Sequence, residues 1–292
     1  MQEDNPETQC LVSVGLVVRN AERTLSLAVR SIVAQTYPHW ELLVADDGSR
    51  DGTTKILHSF RDKRIHVIGH TQSLGLAARL NELTELSRGK YFARMDGDDF
   101  AFPDRLAGQI RFLELHPEVH LLGCGTVNFE GEGKIVGKSR TAATHEEICL
   151  HPWRGFPLSH PTWMGRSDWF RGNRYDARLR RAQDFDLLLR TFRTSRFHCL
   201  SEPLLGYRVE QFTLSRQFRS RKNVIRILLR HTTRPGGARF LWGAAEHALK
   251  FGLDSVAILT GLRFKLLRHR ALPVSECERE SFQRNWAALQ TN

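Results

Sequence analysis

The stretch Tyr91-Phe92-Ala93-Arg94-Met95-Asp96-Gly97-Asp98-Asp99 decides how the rest of the chain is read. Its first half, aromatic and apolar between Gly89 and Gly97, predicts a strand. Its second half sets three carboxylates within four residues. Carboxylates so close repel one another, and their charged forms are costly unless a cation lies among them. Mg²⁺ and Mn²⁺ take oxygen ligands, typically one or two carboxylates together with substrate phosphate oxygens. The stretch is therefore a candidate metal–phosphate site at a strand end; the plain alternative is a solvated Asp/Gly turn.

Upstream, the pattern repeats. Val12 to Val18 is β-branched and short, as a buried strand is. Leu25, Val29, Ile32 and Val33 recur at helical spacing and predict a helix over 22–35, ended by Pro38. A second strand, Glu41 to Ala45, runs straight into Asp46-Asp47-Gly48-Ser49. A helix over 53–60, a strand over 64–68, a helix over 75–87 and the strand over 90–95 follow. Pro103 stands where a helix would start, with Leu106, Ile110 and Leu113 continuing it. Val119 to Leu122 predicts a further strand. This alternation implies a mostly parallel sheet flanked by helices. In such sheets ligands bind outside the carboxyl ends of the strands. Both acidic clusters then fall on one rim.

Downstream the texture changes. Asn128 to Lys138, with Gly131, Gly133 and Gly137, predicts a hairpin or loop. His151 to Arg166 is rich in aromatics, histidine and proline, and Gln183-Asp184-Phe185-Asp186 opens an apolar run as a helix N-terminus does. From about residue 216 cations alternate with apolar residues, through Arg216–Arg230 and Phe251–Arg270. Such basic amphipathic helices contact membranes or nucleic acid, or serve as a solvated helical cap.

Composition narrows the class. The 292 residues carry a net charge of +11, are 41% hydrophobic and 26% charged, and have a pI near 9.9. The positive excess lies after residue 150 and favours an anionic partner. No apolar run approaches the roughly 18 residues that span a bilayer, and Met1–Gln9 is polar and acidic, unlike a secretory signal. Five scattered cysteines (Cys10, Cys124, Cys149, Cys199, Cys277) argue against a disulfide framework or zinc site and suit a reducing cytosol. No Gly-x-Gly-x-x-Gly follows the first strand, which disfavours a nicotinamide dehydrogenase. Arg19 to Thr24 lacks the glycines of a nucleotidyltransferase phosphate loop.

Four blocks in order carry a family resemblance. These are Val12–Thr53 with Asp46-Asp47-Gly48-Ser49, then Met95-Asp96-Gly97-Asp98-Asp99 with Pro103-Asp104-Arg105-Leu106, then His160-Pro161-Thr162-Trp163-Met164, and Ala182-Gln183-Asp184-Phe185-Asp186-Leu187. Together, over residues 11–215, the chain resembles family 2 glycosyltransferases of the GT-A fold. The resemblance implies a Rossmann-like α/β domain over 1–215, with a nucleotide-sugar half at about 11–125 and an acceptor half at about 126–215. A basic, mostly helical region over 216–292 would follow. It implies transfer of a sugar, with inversion, from a nucleotide diphosphate donor (a UDP-sugar favoured) to a hydroxyl of a carbohydrate or lipid-linked glycan in cell-surface polysaccharide or glycolipid synthesis. Asp184 would be the general base. Val17, Arg19, Asp46, Asp47, Arg79, Asp96 and Gly97 would hold the donor nucleotide. Asp98 and Asp96 would bind Mn²⁺ or Mg²⁺, and His160 and Trp163 would line the acceptor side. The expected place is the cytoplasm, peripheral at the membrane's cytoplasmic face through the basic C-terminal region; nucleic acid is not expected as a partner. The alternative is a degenerate transferase domain that binds membrane or nucleic acid.

This sequence departs from the family pattern in three places. Arg19 stands where an aromatic often stacks on the donor base, Gln183 where a Glu often precedes the base, and Glu210 near a position many relatives fill with a metal- or phosphate-binding His.

Overall fold

The computed structural model describes residues 10–209, 214–233, 237–259 and 272–290. Its nine strands form one sheet in the order β3-β2-β1-β4-β8-β6-β9-β5, with β7 beside β6. The strands are β1 (Val12–Val18), β2 (Trp40–Asp46), β3 (Ile65–Gly69), β4 (Tyr91–Asp96), β5 (Phe100–Ala101), β6 (Leu121–Glu130), β7 (Lys134–Lys138), β8 (Met164–Arg166) and β9 (Phe197–Arg208). β3, β2, β1 and β4 are mutually parallel. β8 runs antiparallel to both β4 and β6, and β6 and β9 are again parallel. The chain moves one way from β1 to β2 and β3, then crosses to the other side of β1 for β4. That reversal opens the crevice where such sheets bind ligands.

β1 and β2 read as continuous apolar runs because helices cover both faces of the sheet. On one face lie α1 (Leu25–Val33), α2 (Thr53–Ser59) and α4 (Arg105–Leu115), packed through residues such as Val29, Leu57 and Ile110. On the other lie α3 (Leu76–Leu86), α6 (Ser167–Gly172) and α7 (Gln183–Thr191), packed through residues such as Leu80, Phe170 and Leu187. Gly15 on β1 permits the Phe92 ring of β4 to lie against it: a Cβ there would stand 2.3 Å from the ring.

The helix expected over 22–35 is confined to Leu25–Val33. Pro103 lies in the turn before α4, where Arg105 N–H closes on Phe102 O, and not in its first turn. The strand expected over 119–122 runs on to Glu130 and returns as β7, so 128–138 is a hairpin. The short helix α5 (His145–Ile148) carries a capping box between Thr144 and Glu147.

The basic region forms α8 (Leu214–Arg230) and α9 (Gly237–Leu259), which pack on Leu189 of α7 through Val224, Ile227, Leu228 and Phe240. The expected basic run through Arg263–Arg270 lies outside the described residues, as does Glu210. The last helix, α10 (Glu276–Gln290), returns to the sheet. Phe282, 1% exposed, packs with Phe100, Phe102, Phe129 and Trp286. Glu278 pairs with Lys138 at 2.7 Å. No helix among the described residues is long and apolar enough to cross a membrane. We expect Phe282→Ala to lower unfolding free energy by about 3 kcal/mol or more in a denaturant titration, because the five-ring cluster cannot refill the space.

Candidate active site at the strand ends

Strand register sets the geometry. On β1, Val18 lies beside Asp46 of β2 and Val17 beside Asp96 of β4, so both acidic clusters leave the sheet at the same rim. At the first cluster, Gly48 with φ 77° lets the turn after β2 form. Asp46 closes it, accepting from Ser49 N at 2.9 Å and Thr54 Oγ1 at 2.7 Å. Asp47, 3% exposed, accepts from Ser73 Oγ (2.6 Å), Leu74 N (2.8 Å), Gly75 N (2.9 Å) and Arg79 Nε (2.8 Å). Burial alone would raise its carboxyl, but these hydrogen bonds outweigh it and hold the group below the usual carboxylate range. Arg79 is also fully engaged, giving its other nitrogens to Glu82 at 3.0 Å and Gln72 O at 2.8 Å. Arg19 is exposed and reaches Ser73 Oγ at 3.1 Å. Arg19, Ser73, Asp47 and Arg79 thus form one connected network.

At the second cluster, ligand oxygens of Asp96, Asp98 and Asp99 all lie within 4.8 Å of one another. Gly97 fits beneath Val18, where a Cβ would meet Cγ1 at 2.7 Å, and its carbonyl accepts from Thr24 Oγ1 at 2.9 Å. Asp99 is fully buried. Its Oδ1 accepts from Arg208 N at 2.8 Å, and its Oδ2 has no partner among the described residues. Burial, then the charges of Asp96 and Asp98, push the Asp99 carboxyl well above the usual range. An all-oxygen donor set with an orphaned buried carboxylate oxygen fits Mg²⁺ or Mn²⁺.

Asp184 is the second residue of α7, reached through Ala182 at φ 60°. Its carboxyl is raised, first by burial and also by Asp96, with the charge of Arg94 opposing. Asp184, Asp96 and His160 line one cavity of about 1490 Å³, together with Leu76, Arg94 and Tyr207 among others. His160 bonds the Tyr175 hydroxyl at 2.9 Å, and burial together with Arg94 keeps its imidazole neutral well below the usual range. Trp163 stands behind His160, fully buried, with Nε1 donating to Leu158 O at 3.2 Å. The network of Arg19, Asp47 and Arg79 lies outside that cavity wall, as do Val17, Asp46 and Trp163.

Sequence reading counted Asp99 in the acidic cluster without giving it a ligand role, and gave Arg94 and Gln183 no role. Asp99 completes the acid cluster, and Arg94 and Gln183 line the cavity beside Asp184. A cation inside an otherwise apolar strand is the signal that marks Arg94. Arg94 is 1% exposed and pairs with Asp96. Beneath it the fully buried Arg105 ties Arg94 O (2.6 Å) to Pro161 O (2.9 Å), fixing the acid strand against the His160 turn.

Residues 13–181 match the model of the family described as Glycosyl transferase family 2. The putative glycosyltransferase EpsE of Bacillus subtilis is 36% identical over 213 residues, which cover 70% of this chain and 76% of that one. A UDP-Glc:alpha-D-GlcNAc-diphosphoundecaprenol beta-1,3-glucosyltransferase, WfgD of Escherichia coli, is 36% identical over 130 residues, 44% of this chain and 50% of its own. The crystal structure of S. aureus TarS 1-349 in complex with UDP-GlcNAc superposes with a TM-score of 0.62 at 17% identity, covering 95% of this chain and 80% of that one. The fold is therefore GT-A, and the chain belongs to glycosyl transferase family 2; it is an enzyme of the glycosyltransferase class.

Asp47 has an acid-linked role that stability can read. Its folded-state pKa lies below the unfolded value, so its contribution is complete above about pH 4 and is lost as pH falls through the folded value. Asp47→Asn should cost about 2–4 kcal/mol at neutral pH in urea unfolding. The gap to wild type should narrow progressively below about pH 4.

Proposed function

We propose that the chain moves a sugar, with inversion, from a nucleotide diphosphate donor to a hydroxyl of a lipid-linked or polysaccharide glycan, using a divalent metal. The observation that carries this reading is that Asp184 lines one cavity together with Asp96, a member of the Asp96–Asp98–Asp99 cluster. Asp96 and Asp98, backed by Asp99, would hold Mn²⁺ or Mg²⁺, which would supply Lewis-acid stabilisation of the charge developing on the diphosphate leaving group. Asp184 takes the acceptor's proton as that oxygen attacks the anomeric carbon from the face opposite the diphosphate. One displacement of this kind needs a base and no protein nucleophile, and it inverts the centre. Burial keeps Asp184 basic enough for the task. Asp47 and Arg79 hold the 72–75 loop, which with Val17, Arg19, Asp46, Asp96 and Gly97 shapes the nucleotide side. His160 and, through it, Trp163 shape the acceptor side. Lys134, Arg140, Arg180 and Arg181 on the cavity wall favour an anionic donor. A UDP-sugar is favoured because WfgD and TarS are both named or solved with one.

In this reading residues 1–215 are the catalytic domain, divided near 125 into donor and acceptor halves, and 216–292 is its helical appendage. Trp242, Leu249, Leu253 and Val256 are exposed along one face of α9, with Arg239 beside it and Lys222, Arg226 and Arg230 exposed on α8, while Lys250 is paired with Glu246 at 2.6 Å. That pattern supports peripheral docking of a cytoplasmic enzyme on an anionic membrane. The double variant Leu249→Glu, Leu253→Glu should lose most co-sedimentation with anionic liposomes; equal binding to wild type would remove this element.

Thermal unfolding with nucleotide diphosphates and nucleotide sugars tests the donor site. One nucleotide should raise Tm only with Mn²⁺, and Asp98→Ala should abolish the shift. The shift should shrink toward acid pH, because protons compete with the metal for its carboxylate ligands. Asp184→Asn should keep this nucleotide response yet lose on the order of a thousandfold or more in turnover. In wild type, kcat/KM should rise with pH through a limb above the roughly pH 4 of an ordinary aspartate. Retained turnover in Asp184→Asn would rule out its role as base.

A further inference from the structure

The cavity holds two buried polar groups that the mechanism above leaves without a task. Arg94, 1% exposed, gives Nη2 to Asp96, while its Nε and Nη1 meet no partner among the described residues. Gln183, the residue before Asp184, is 7% exposed, and its Oε1 is likewise unpartnered. Both side chains line the same cavity as Asp96, His160 and Asp184. Buried polar groups in native structures are almost always hydrogen-bonded, so orphans gathered on one cavity wall mark a place where a ligand completes the bonding.

The wall has a definite chemistry. Arg94 offers only donors, and Gln183 leaves an acceptor open. A phosphate or carboxylate would answer Arg94 but has no proton for Gln183. Neighbouring hydroxyls of a pyranose answer both, since each accepts and donates. The wall runs from Asp96, on the diphosphate side, to Asp184, which faces the attacking hydroxyl. A sugar ring whose anomeric carbon lies between leaving group and base occupies that interval. Arg94 is held for this by its pair with Asp96 and by Arg105 gripping its carbonyl at 2.6 Å. Gln183 is held by the first turn of α7.

We propose that Arg94 and Gln183 form the subsite that recognises hydroxyls of the transferred sugar and so select which donor sugar is used. The proposal rests on the donor and base assignments of the preceding section.

The test is titration calorimetry with Mn²⁺, using the nucleotide diphosphate found by thermal screening and the matching nucleotide sugar, on wild type, Gln183→Leu and Arg94→Lys. Gln183→Leu keeps the buried volume and removes an oxygen that has no hydrogen-bond partner among the described residues, so it reports even if Arg94→Lys proves unstable. Gln183→Leu should bind the bare diphosphate within about twofold of wild type and the nucleotide sugar about tenfold more weakly or worse, and Arg94→Lys, which also alters the pair with Asp96, should lose more affinity for the nucleotide sugar than for the bare diphosphate. A nucleotide sugar lacking one recognised hydroxyl should bind wild type and Gln183→Leu equally. Equal weakening of both ligands would assign these residues to the nucleotide and overturn the proposal. Unchanged donor binding with a raised acceptor KM would assign them to the acceptor and overturn it too. If wild type binds no nucleotide at all, the donor assignment itself fails and this subsite falls with it. A wild type that binds nucleotide normally while the variants keep full sugar affinity sinks the subsite alone.

Discussion

The site depends on one strand being hydrogen-bonded on both edges and covered on both faces. β1 pairs in parallel with β2 and with β4, and most of its residues are buried. A strand so enclosed has its register set by every neighbour at once, since a slip of one residue would exchange the residues on its two covered faces and put a side chain where Gly15 makes room for the Phe92 ring. Its C-terminal end therefore fixes where β2 and β4 release their acids. Asp47 N–H donating to Val18 O at 2.9 Å is the last link of that ladder. The chemistry of the rim is thus held by hydrophobic burial several residues away from it.

Around that rim the protein keeps an unusual number of charges out of water. Asp47, Arg79, Arg94, Asp99 and Arg105 are all buried. Such groups cost several kcal/mol each unless paired and hydrogen-bonded. They divide by how they meet that cost. Asp47 and Arg79 satisfy each other and the surrounding loop completely, and so act as rigid scaffolding. Asp99, Arg94 and Gln183 retain open valences toward the acid cluster and the cavity. Arg105, whose Nη1 is also unpartnered, lies off the cavity wall, so an open valence marks a face prepared for a ligand only where the side chain also borders the cavity or the acid cluster. The division also separates Asp46 and Asp47, acids that shape a turn, from Asp96, Asp98 and Asp99, acids that gather around a common point.

The C-terminal helices are bound to the catalytic fold at two separate places. α8 and α9 bury Val224, Ile227, Leu228 and Phe240 against α7, the helix that carries Asp184. α10 crosses back to close the aromatic cluster around Phe100, the residue that follows Asp99 in sequence. The basic residues of α8 and the apolar ridge of α9 are therefore carried by helices that also brace the helix from which Asp184 projects.

The sequence by itself determined the first four parallel strands, their intervening helices and the two acidic clusters. In that half of the chain each strand is a local apolar run and each helix a local 3.6-residue stripe, so neighbouring residues carry the signal. It determined Asp184 as a helix-opening acid for the same reason. Only the tertiary structure decided the rest. β5, β8 and β9 are short or mixed in pattern and become strands through pairing with residues distant in sequence, as Met164 does with Ala93 and Leu122. The involvement of Asp99 and the open donors of Arg94 follow from burial, which a chain reports only once its partners have packed. The full engagement of Asp47 depends on a loop 26 or more residues further on. Local periodicity writes the scaffold into the sequence; which polar groups are filled and which stay open is settled by long-range packing.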